Sequence, residues 1–254
     1  MGKILVIANQ KGGVGKTTTA MNLSACLADM GRRTLLVDMD PQGNAGSGLG
    51  ARPGDEDPSV YHALLGMLPV REVVKPGPVE NLDIAPADMA LIGAEVELVG
   101  HEARERHLER ALSPVRDTYE HIIIDCPPSL GLLTLNSLVS ADGVLVPLQC
   151  EYYALEGVLY LMHTIDRVRA SYNDRLEIVG LLLTMFDTRT NLSHQVAEEV
   201  RRHFGDKVFK SVIPRNVRLA EAPSHGLPII LYDKYSRGAD AYVRLTEELL
   251  RHES

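Results

Sequence analysis

Residues 9–19 read NQKGGVGKTTT, and this stretch governs how the rest of the chain is understood. Ahead of it, residues 3–8 (KILVIA) form a short apolar, strand-like run. Behind it, residues 16–30 repeat apolar side chains at helical spacing through Ala20, Leu23, Leu27 and Met30, with Gly31 as the stop. A Gly-rich turn therefore joins a strand to a helix. Glycines let backbone N–H groups turn inward around phosphate oxygens. The helix starting near Lys16 adds the positive end of its dipole. Lys16 is placed to reach β- and γ-phosphates, and the Thr17 hydroxyl to ligate Mg²⁺. A Gly-rich turn before a helix is weak evidence by itself; the strand–turn–helix context with Lys-Thr makes it specific. Residues Lys11, Gly12, Gly13, Val14, Gly15, Lys16, Thr17 and Thr18 are thus the expected cradle for Mg²⁺ and ATP.

The loop departs from the common G-x-x-x-x-G-K-[ST] form, because Gln10 stands at the first Gly position and Lys11 follows it. A second lysine can add a cation where charge develops in phosphoryl transfer. It can equally be a solvated surface charge, and the residues alone leave the two readings open.

Further apolar runs occur at 34–37, 122–124, 144–147, 178–184 and 208–213, with helical patterns between them, for example at 156–170 and 192–203. Continuous apolar strands separated by helices predict an α/β fold: a doubly wound, mostly parallel central sheet with helices on both faces. Asp40, Asp125 and Thr184 fall at the carboxyl ends of these runs, where open α/β sheets bind ligands. Asp125 is placed to hold the shell of the metal ion. Of Asp38 and Asp40, one could orient an attacking water and the other the metal. Residues 51–58 read as a surface excursion, and Tyr152 and Tyr153 as core or interface. The whole chain, 1–254, is expected to be one domain.

Hydrophobic residues make up 45% of the chain, but Trp is absent and only three Phe occur, so Leu, Val, Ile and Ala must fill the core. The net charge of −8 disfavours nucleic acid on average. That average hides a basic window: residues 167–218 hold ten Lys/Arg against six Asp/Glu, a net of +4, which leaves −12 for the remainder. Cys26, Cys126 and Cys150 match neither a zinc site nor a disulfide framework and read as small buried apolar residues. No apolar run is long enough to span a bilayer and no signal peptide precedes the first strand, so a cytoplasmic location without membrane contact is expected.

Six stretches together resemble the ParA/Soj branch of the ParA/MinD family of deviant-Walker ATPases. They are residues 9–19 (NQKGGVGKTTT), 35–44 (LLVDMDPQGN), 122–133 (IIIDCPPSLGLL), 149–157 (QCEYYALEG), 183–191 (LTMFDTRTN) and 212–224 (VIPRNVRLAEAPS). The resemblance covers essentially the whole chain and implies a P-loop NTPase fold. It implies that ATP is held between two subunits of a face-to-face homodimer, with Lys11 as the signature lysine that reaches the partner's phosphates. Lys16 and Thr17 take the ordinary P-loop roles, Asp40 positions the attacking water, and Asp125 is the Walker-B carboxylate. Pro214 and Asn216 match positions that contact adenine. In this branch the ATP-bound dimer binds double-stranded DNA without sequence preference, and Arg189 and Arg218 match arginines of that surface. A ParB/Spo0J-like centromere-binding protein stimulates slow hydrolysis and releases the ATPase from the nucleoid. The implied role is chromosome or plasmid partition.

Both arginines lie in the basic window, which agrees with duplex phosphate contacts. Few aromatics accompany them, which disfavours base stacking on single strands. The alternative is a MinD-like, membrane-associated positioning ATPase, whose last helix should be rich in Lys/Arg and bulky apolar residues. Here residues 246–254 (TEELLRHES) are short and acidic, and Val243, Leu249 and Leu250 are expected to pack the last helix onto the sheet.

Overall fold

The computed structural model of the chain describes residues 1–151 and 154–253; Tyr152 and Tyr153 lie outside the described residues. In chain order, the first half contains β1 (Lys3–Ile7), α1 (Lys16–Asp29), β2 (Thr34–Asp38), α2 (Asn44–Gly48), α3 (Val60–Leu64), β3 (Lys75–Pro76), β4 (Leu82–Ala85), α4 (Leu91–Glu97) and α5 (His107–Leu112). The second half contains β5 (His121–Asp125), α6 (Leu132–Ser140), β6 (Gly143–Gln149), α7 (Ala154–Ser171), β7 (Glu177–Phe186) and α8 (Asn191–Phe204). It closes with β8 (Val208–Pro214), α9 (Val217–Glu221), α10 (Ile229–Tyr232) and α11 (Arg237–Glu253).

All eight described strands join one sheet in the order β3-β4-β2-β5-β1-β6-β7-β8, and only β3 runs antiparallel to its neighbour. Strand residues alternate between the two faces. Leu5, Ile7, Leu36 and Ile123 join one buried cluster with side chains of α1 and α11. Ile4, Val6, Leu35, Val37, Ile122 and Ile124 join the other, with side chains of α3 to α8. The β-rich apolar run of β5 explains its place in the middle: Ile122, Ile123 and Ile124 are each 0% exposed, buried on both faces. Each such side chain contributes roughly 1.5–3 kcal/mol. This is the doubly wound α/β arrangement that the sequence predicts.

The strand order places the site. β1 lies between β5 and β6. The chain leaves β1 towards β2 on one side and returns to β6 on the other, so a crevice opens beyond the carboxyl end of β1.

Several expectations are met with small shifts in length. The run at 144–147 is the middle of β6, and the helical patterns at 156–170 and 192–203 lie within α7 and α8. β7 continues to Phe186, which pairs with Pro214 of β8, so Thr184 sits inside the strand rather than at its end. Residues 51–58 contain neither helix nor strand. α11 packs as expected: Leu245 and Leu249 are fully buried, and Val243 and Leu250 lie against the same cluster. It also protects the sheet edge. The Glu248 carboxylate accepts the β8 backbone N–H groups of Lys210 (2.7 Å) and Ser211 (2.9 Å), which a stray strand would otherwise find free.

A candidate nucleotide site at the carboxyl edge of the sheet

The phosphate loop leaves β1 and ends where α1 begins at Lys16. Gly13 and Gly15 have φ of 73° and 87°, a left-handed backbone that costs little only for glycine. No side chain caps the N-terminus of α1 and no acidic residue occupies its first turn. The positive end of the helix is therefore kept for an anion.

The loop is held by hydrogen bonds whose partners motif reading does not supply. Asn9 Nδ2 donates to the Pro147 carbonyl (2.7 Å), and Asn9 Oδ1 accepts the Lys11 N–H (3.0 Å). Thr184 Oγ1 donates to the Val14 carbonyl (2.8 Å), and Gln10 Nε2 to the Gly157 carbonyl (3.2 Å). Asn22 ties the Thr18 carbonyl to the Ile229 N–H. Pro147, Gly157, Thr184 and Ile229 lie about 140 to 210 positions from their partners, and local sequence carries no signal for them.

The two lysines occupy different surroundings. Lys16 is 6% exposed and its Nζ donates to the Lys11 carbonyl at 3.2 Å. Burial lowers its pKa, opposed by the nearby Asp125, Cys126 and Asp40. Lys11 is far more exposed, and its Nζ meets Glu151 Oε2 at 2.6 Å.

Register brings two carboxylates together, because β2 and β5 are neighbours and Asp38 lies opposite Asp125. Asp125 is fully buried, and neither of its oxygens has a well-formed hydrogen bond. Burial pushes its carboxyl well above the ordinary range and Asp38 pushes the same way; the Thr17 hydroxyl, Asp40 and Lys16 follow, with Thr17 and Lys16 pulling it down. Asp38 is buried too, but its oxygens are taken by the backbone N–H groups of Asp40 (3.1 Å), Ala45 (2.9 Å) and Gly46 (3.0 Å). Burial still raises it, to about 7, against those hydrogen bonds. Asp38 thus clamps the turn after β2 and has no oxygen to spare. Asp40 is 9% exposed, and only its Oδ1 is engaged, by the Gln42 N–H at 3.0 Å. The geometry therefore separates two aspartates that the residues alone leave interchangeable.

A hard divalent cation seeks oxygen ligands. The bare Asp125 carboxyl next to the Thr17 hydroxyl fits that demand, and no other buried carboxylate at this edge is similarly free among the described residues.

Beside the loop is a cavity of about 220 Å³ lined by Gly15, Thr18, Thr184, Met185, Pro214 and Asn216, among others. It joins Pro214 and Asn216 to the phosphate loop from about two hundred positions away in sequence. Met185, within the 183–191 stretch but given no role there, lines it with φ at 50°, a left-handed conformation that is uncommon outside glycine. The Asn216 side chain caps α9 by accepting the Arg218 N–H at 2.8 Å.

Arg189 follows the end of β7 and Arg218 the end of β8, two adjacent strands. Arg189 pairs with both oxygens of Asp187, at 2.9 and 2.7 Å. Arg218 lies 2.8 Å from Glu221 and 3.6 Å from Asp233. Cys26, Cys126 and Cys150 are free and buried, and burial pushes their thiols up to about 12, 12 and 11. They are core residues and not ligands of this site.

A parallel sheet with a Gly-rich loop at its central strand, an uncapped helix N-terminus and a bare buried carboxylate on the next strand defines a P-loop nucleotide-binding protein. Comparison narrows the class. Residues 2–178 match the family model AAA_31, described as an AAA domain. Sporulation initiation inhibitor protein Soj of Bacillus subtilis (strain 168) is 59% identical over 249 residues, 98% of each chain. Chromosome partitioning protein ParA of Myxococcus xanthus (strain DK1622) is 57% identical over 254 residues, all of this chain and 90% of that one. A solved structure of cobyrinic acid a,c-diamide synthase from Mycobacterium smegmatis, with bound ADP and magnesium, superposes with a TM-score of 0.87 at 40% identity. That match covers all of this chain and 96% of the other. The chain belongs to the ParA/Soj family of chromosome partitioning ATPases. No described helix is long and apolar enough to cross a membrane.

Proposed function

We propose that the protein is a DNA-partitioning ATPase, cytoplasmic and nucleoid-associated, in which Mg-ATP drives face-to-face dimerisation and non-specific binding to duplex DNA. One observation supports linking the two ligands. Thr184 and Met185 of β7, and Pro214 and Asn216 at the end of β8, line the base cavity, while Arg189 and Arg218 follow on the same two segments. Nucleotide in the cavity and phosphate on the arginines therefore bear on one pair of adjacent strand ends.

In this reading Lys16 and the open end of α1 hold the phosphate charge. Thr17 and Asp125 would hold Mg²⁺, which when bound supplies charge neutralisation at the phosphates. Asp40, whose Oδ2 takes no side-chain hydrogen bond among the described residues, orients the attacking water. Lys11 leaves Glu151 and extends to the partner protomer's phosphates, adding a cation where charge develops. Pro214 and Asn216 contact the base. Dimerisation doubles the arginine surface, which makes DNA binding cooperative and sensitive to salt. A ParB/Spo0J-like partner accelerates slow hydrolysis and resets the cycle. α11 turns Leu245 and Leu249 into the core, so these side chains serve packing and not a membrane-facing row.

The test is a duplex-DNA mobility shift without nucleotide, with ADP, and with ATP and Mg²⁺, across several salt concentrations. Binding only with ATP, abolished as salt rises, is expected. Arg218→Ala should keep dimerisation and flatten the salt slope by roughly one unit for each DNA phosphate the dimer no longer neutralises. Equal binding in all three nucleotide conditions would contradict the switch.

A further inference from the structure

A second concavity shares no lining residue with the nucleotide cavity. It is a groove of about 380 Å³ between two segments. Residues 63–71 run from the end of α3 through the turn after it, and residues 107–115 form α5 and the turn that follows. Leu64, Leu65, Leu68, Val70, Ala111 and Val115 give the groove an apolar lining. Among the described residues Leu68 joins neither buried cluster, so its half-buried side chain serves the groove and not the core. The two walls are tied together, since His107 Nδ1 donates to the Leu64 carbonyl at 3.0 Å. The groove is therefore built into the fold, and its volume is that of sites that hold a ligand.

The charge on this lining has one sign. Arg71 stands on one wall, His107 and Arg110 stand on the other, and no Asp or Glu lines the groove. The chain as a whole carries −8, so the groove runs against the average. Neither guanidinium has a hydrogen-bond or ion-pair partner among the described residues. Glu109, the carboxylate next to Arg110, is turned to Arg106 at 2.8 Å. Glu72 follows Arg71 but does not line the groove. Leu64, Val70 and Val115 are buried while Arg71 and Arg110 are exposed, so the apolar floor is recessed between cationic rims. A flat bilayer would meet the arginines and miss the floor. An occupant must offer an apolar stripe narrow enough to enter, with carboxylates on both sides of it. Guanidinium forks suit carboxylates through paired N–H donors.

We propose that this groove docks an acidic amphipathic helix of a partner protein, one with Asp or Glu on both sides of its apolar stripe. Its apolar side chains enter between Leu68 and Ala111. Its carboxylates meet Arg71 on one rim and Arg110 on the other, with His107 on the same wall as Arg110. This is the helix-in-groove mode, read by anchors three, four and seven positions apart. The contact needs neither nucleotide nor DNA.

The probe is a fluorescein-labelled helical peptide of roughly 16 residues, long enough for such anchors. It carries leucines at helical spacing and glutamates on both flanks, and its control has lysines in place of the glutamates. Fluorescence anisotropy with the full chain should show the glutamate form binding at least tenfold more tightly than the control, about 1.4 kcal/mol. The net charge of −8 by itself favours the reverse order. The preference should shrink as salt rises. The double variant Arg71→Glu, Arg110→Glu should weaken the glutamate peptide about tenfold. Arg52→Glu, Arg175→Glu gives the same net charge at two exposed arginines outside the groove and should leave binding unchanged. Leu68→Ser, which keeps the charge, should weaken it as well. Four results would overturn the proposal. Two are a lysine form that binds as tightly as the glutamate form, and undiminished binding to the groove double variant. The others are pelleting of wild type with phosphatidylglycerol vesicles, or a nucleotide-free wild-type dimer, that the groove double variant abolishes. These last would make the occupant a lipid surface or a second copy of the chain.

Discussion

The two ends of the central strands handle buried charge in opposite ways. At the amino end, near the starts of β1 and β5, carboxylates are matched with cations. Arg116 Nη2 lies 2.6 Å from both oxygens of Asp142, and Asp142 also accepts the Ile4 N–H at 2.8 Å. Glu253 meets the His121 ring at 3.0 Å and Lys3 at 3.3 Å. At the carboxyl end of the same β5, Asp125 is buried with no well-formed hydrogen bond to either oxygen, only the Thr17 hydroxyl lying near. The backbone hydrogen bonds that satisfy Asp38 do not extend across to it. One end is built for stability. The other holds a buried carboxyl with no well-formed hydrogen bond, which burial pushes towards its neutral form, and such groups mark sites because folding alone does not favour them.

Substitutions can break this contrast. The largest effect is expected at the phosphate loop: Lys16→Ala should weaken binding of a fluorescent ATP analogue by about 10²–10³-fold while the chain remains folded. Next is the matched end, where Arg116→Ala leaves Asp142 partly buried without its cation. It should lower the stability read from denaturant unfolding by about 3 kcal/mol and leave nucleotide affinity near wild type. A smaller loss, about 2 kcal/mol, is expected for Glu248→Ala, which frees two edge-strand N–H groups. Glu248 adds a dependence on pH. Burial pushes its carboxyl up, but the hydrogen bonds from Ser211 and the Lys210 N–H prevail and hold it below the ordinary value. Its stabilisation is therefore full above the unfolded carboxylate pKa of about 4.3 and is lost as pH falls through the lower folded value. The gap between wild type and Glu248→Gln should stay constant near neutrality and close in acid.

Much of the fold was legible because the central strands are pure in pattern. The runs at 34–37 and 122–124 are continuous and apolar, and only a strand buried on both faces asks for that. The outer part was harder to see. β4 has only the residues LDIA, with Asp83 interrupting the apolar run, and β3 is two residues long. Their place in the sheet depends on pairing with β2 and β4, which local pattern does not record. At the site, the phosphate loop and the positions of Asp38, Asp40 and Asp125 follow from sequence. What the residues by themselves did not give was the difference between the aspartates, which only the family resemblance implied. It arises from three backbone N–H groups that converge on Asp38 from a turn up to eight residues away, and from the register that sets Asp125 opposite. The anchoring of the loop by Asn9 and Thr184 was hidden for the same reason, since each reaches a carbonyl about 140 to 170 positions distant.

The central claim is that Asp125 is kept bare for a cation at a cost to the empty fold. Thermal unfolding of wild type and Asp125→Asn, each with and without Mg²⁺ and a slowly hydrolysed ATP analogue, tests it most directly. Without ligand the variant should be the more stable by about 1 kcal/mol, since its amide is neutral at every pH whereas the buried carboxyl is costly to ionise. With ligand it should gain far less than wild type. A variant less stable than wild type without ligand, yet stabilised equally with it, would mean that Asp125 serves the fold and not the nucleotide.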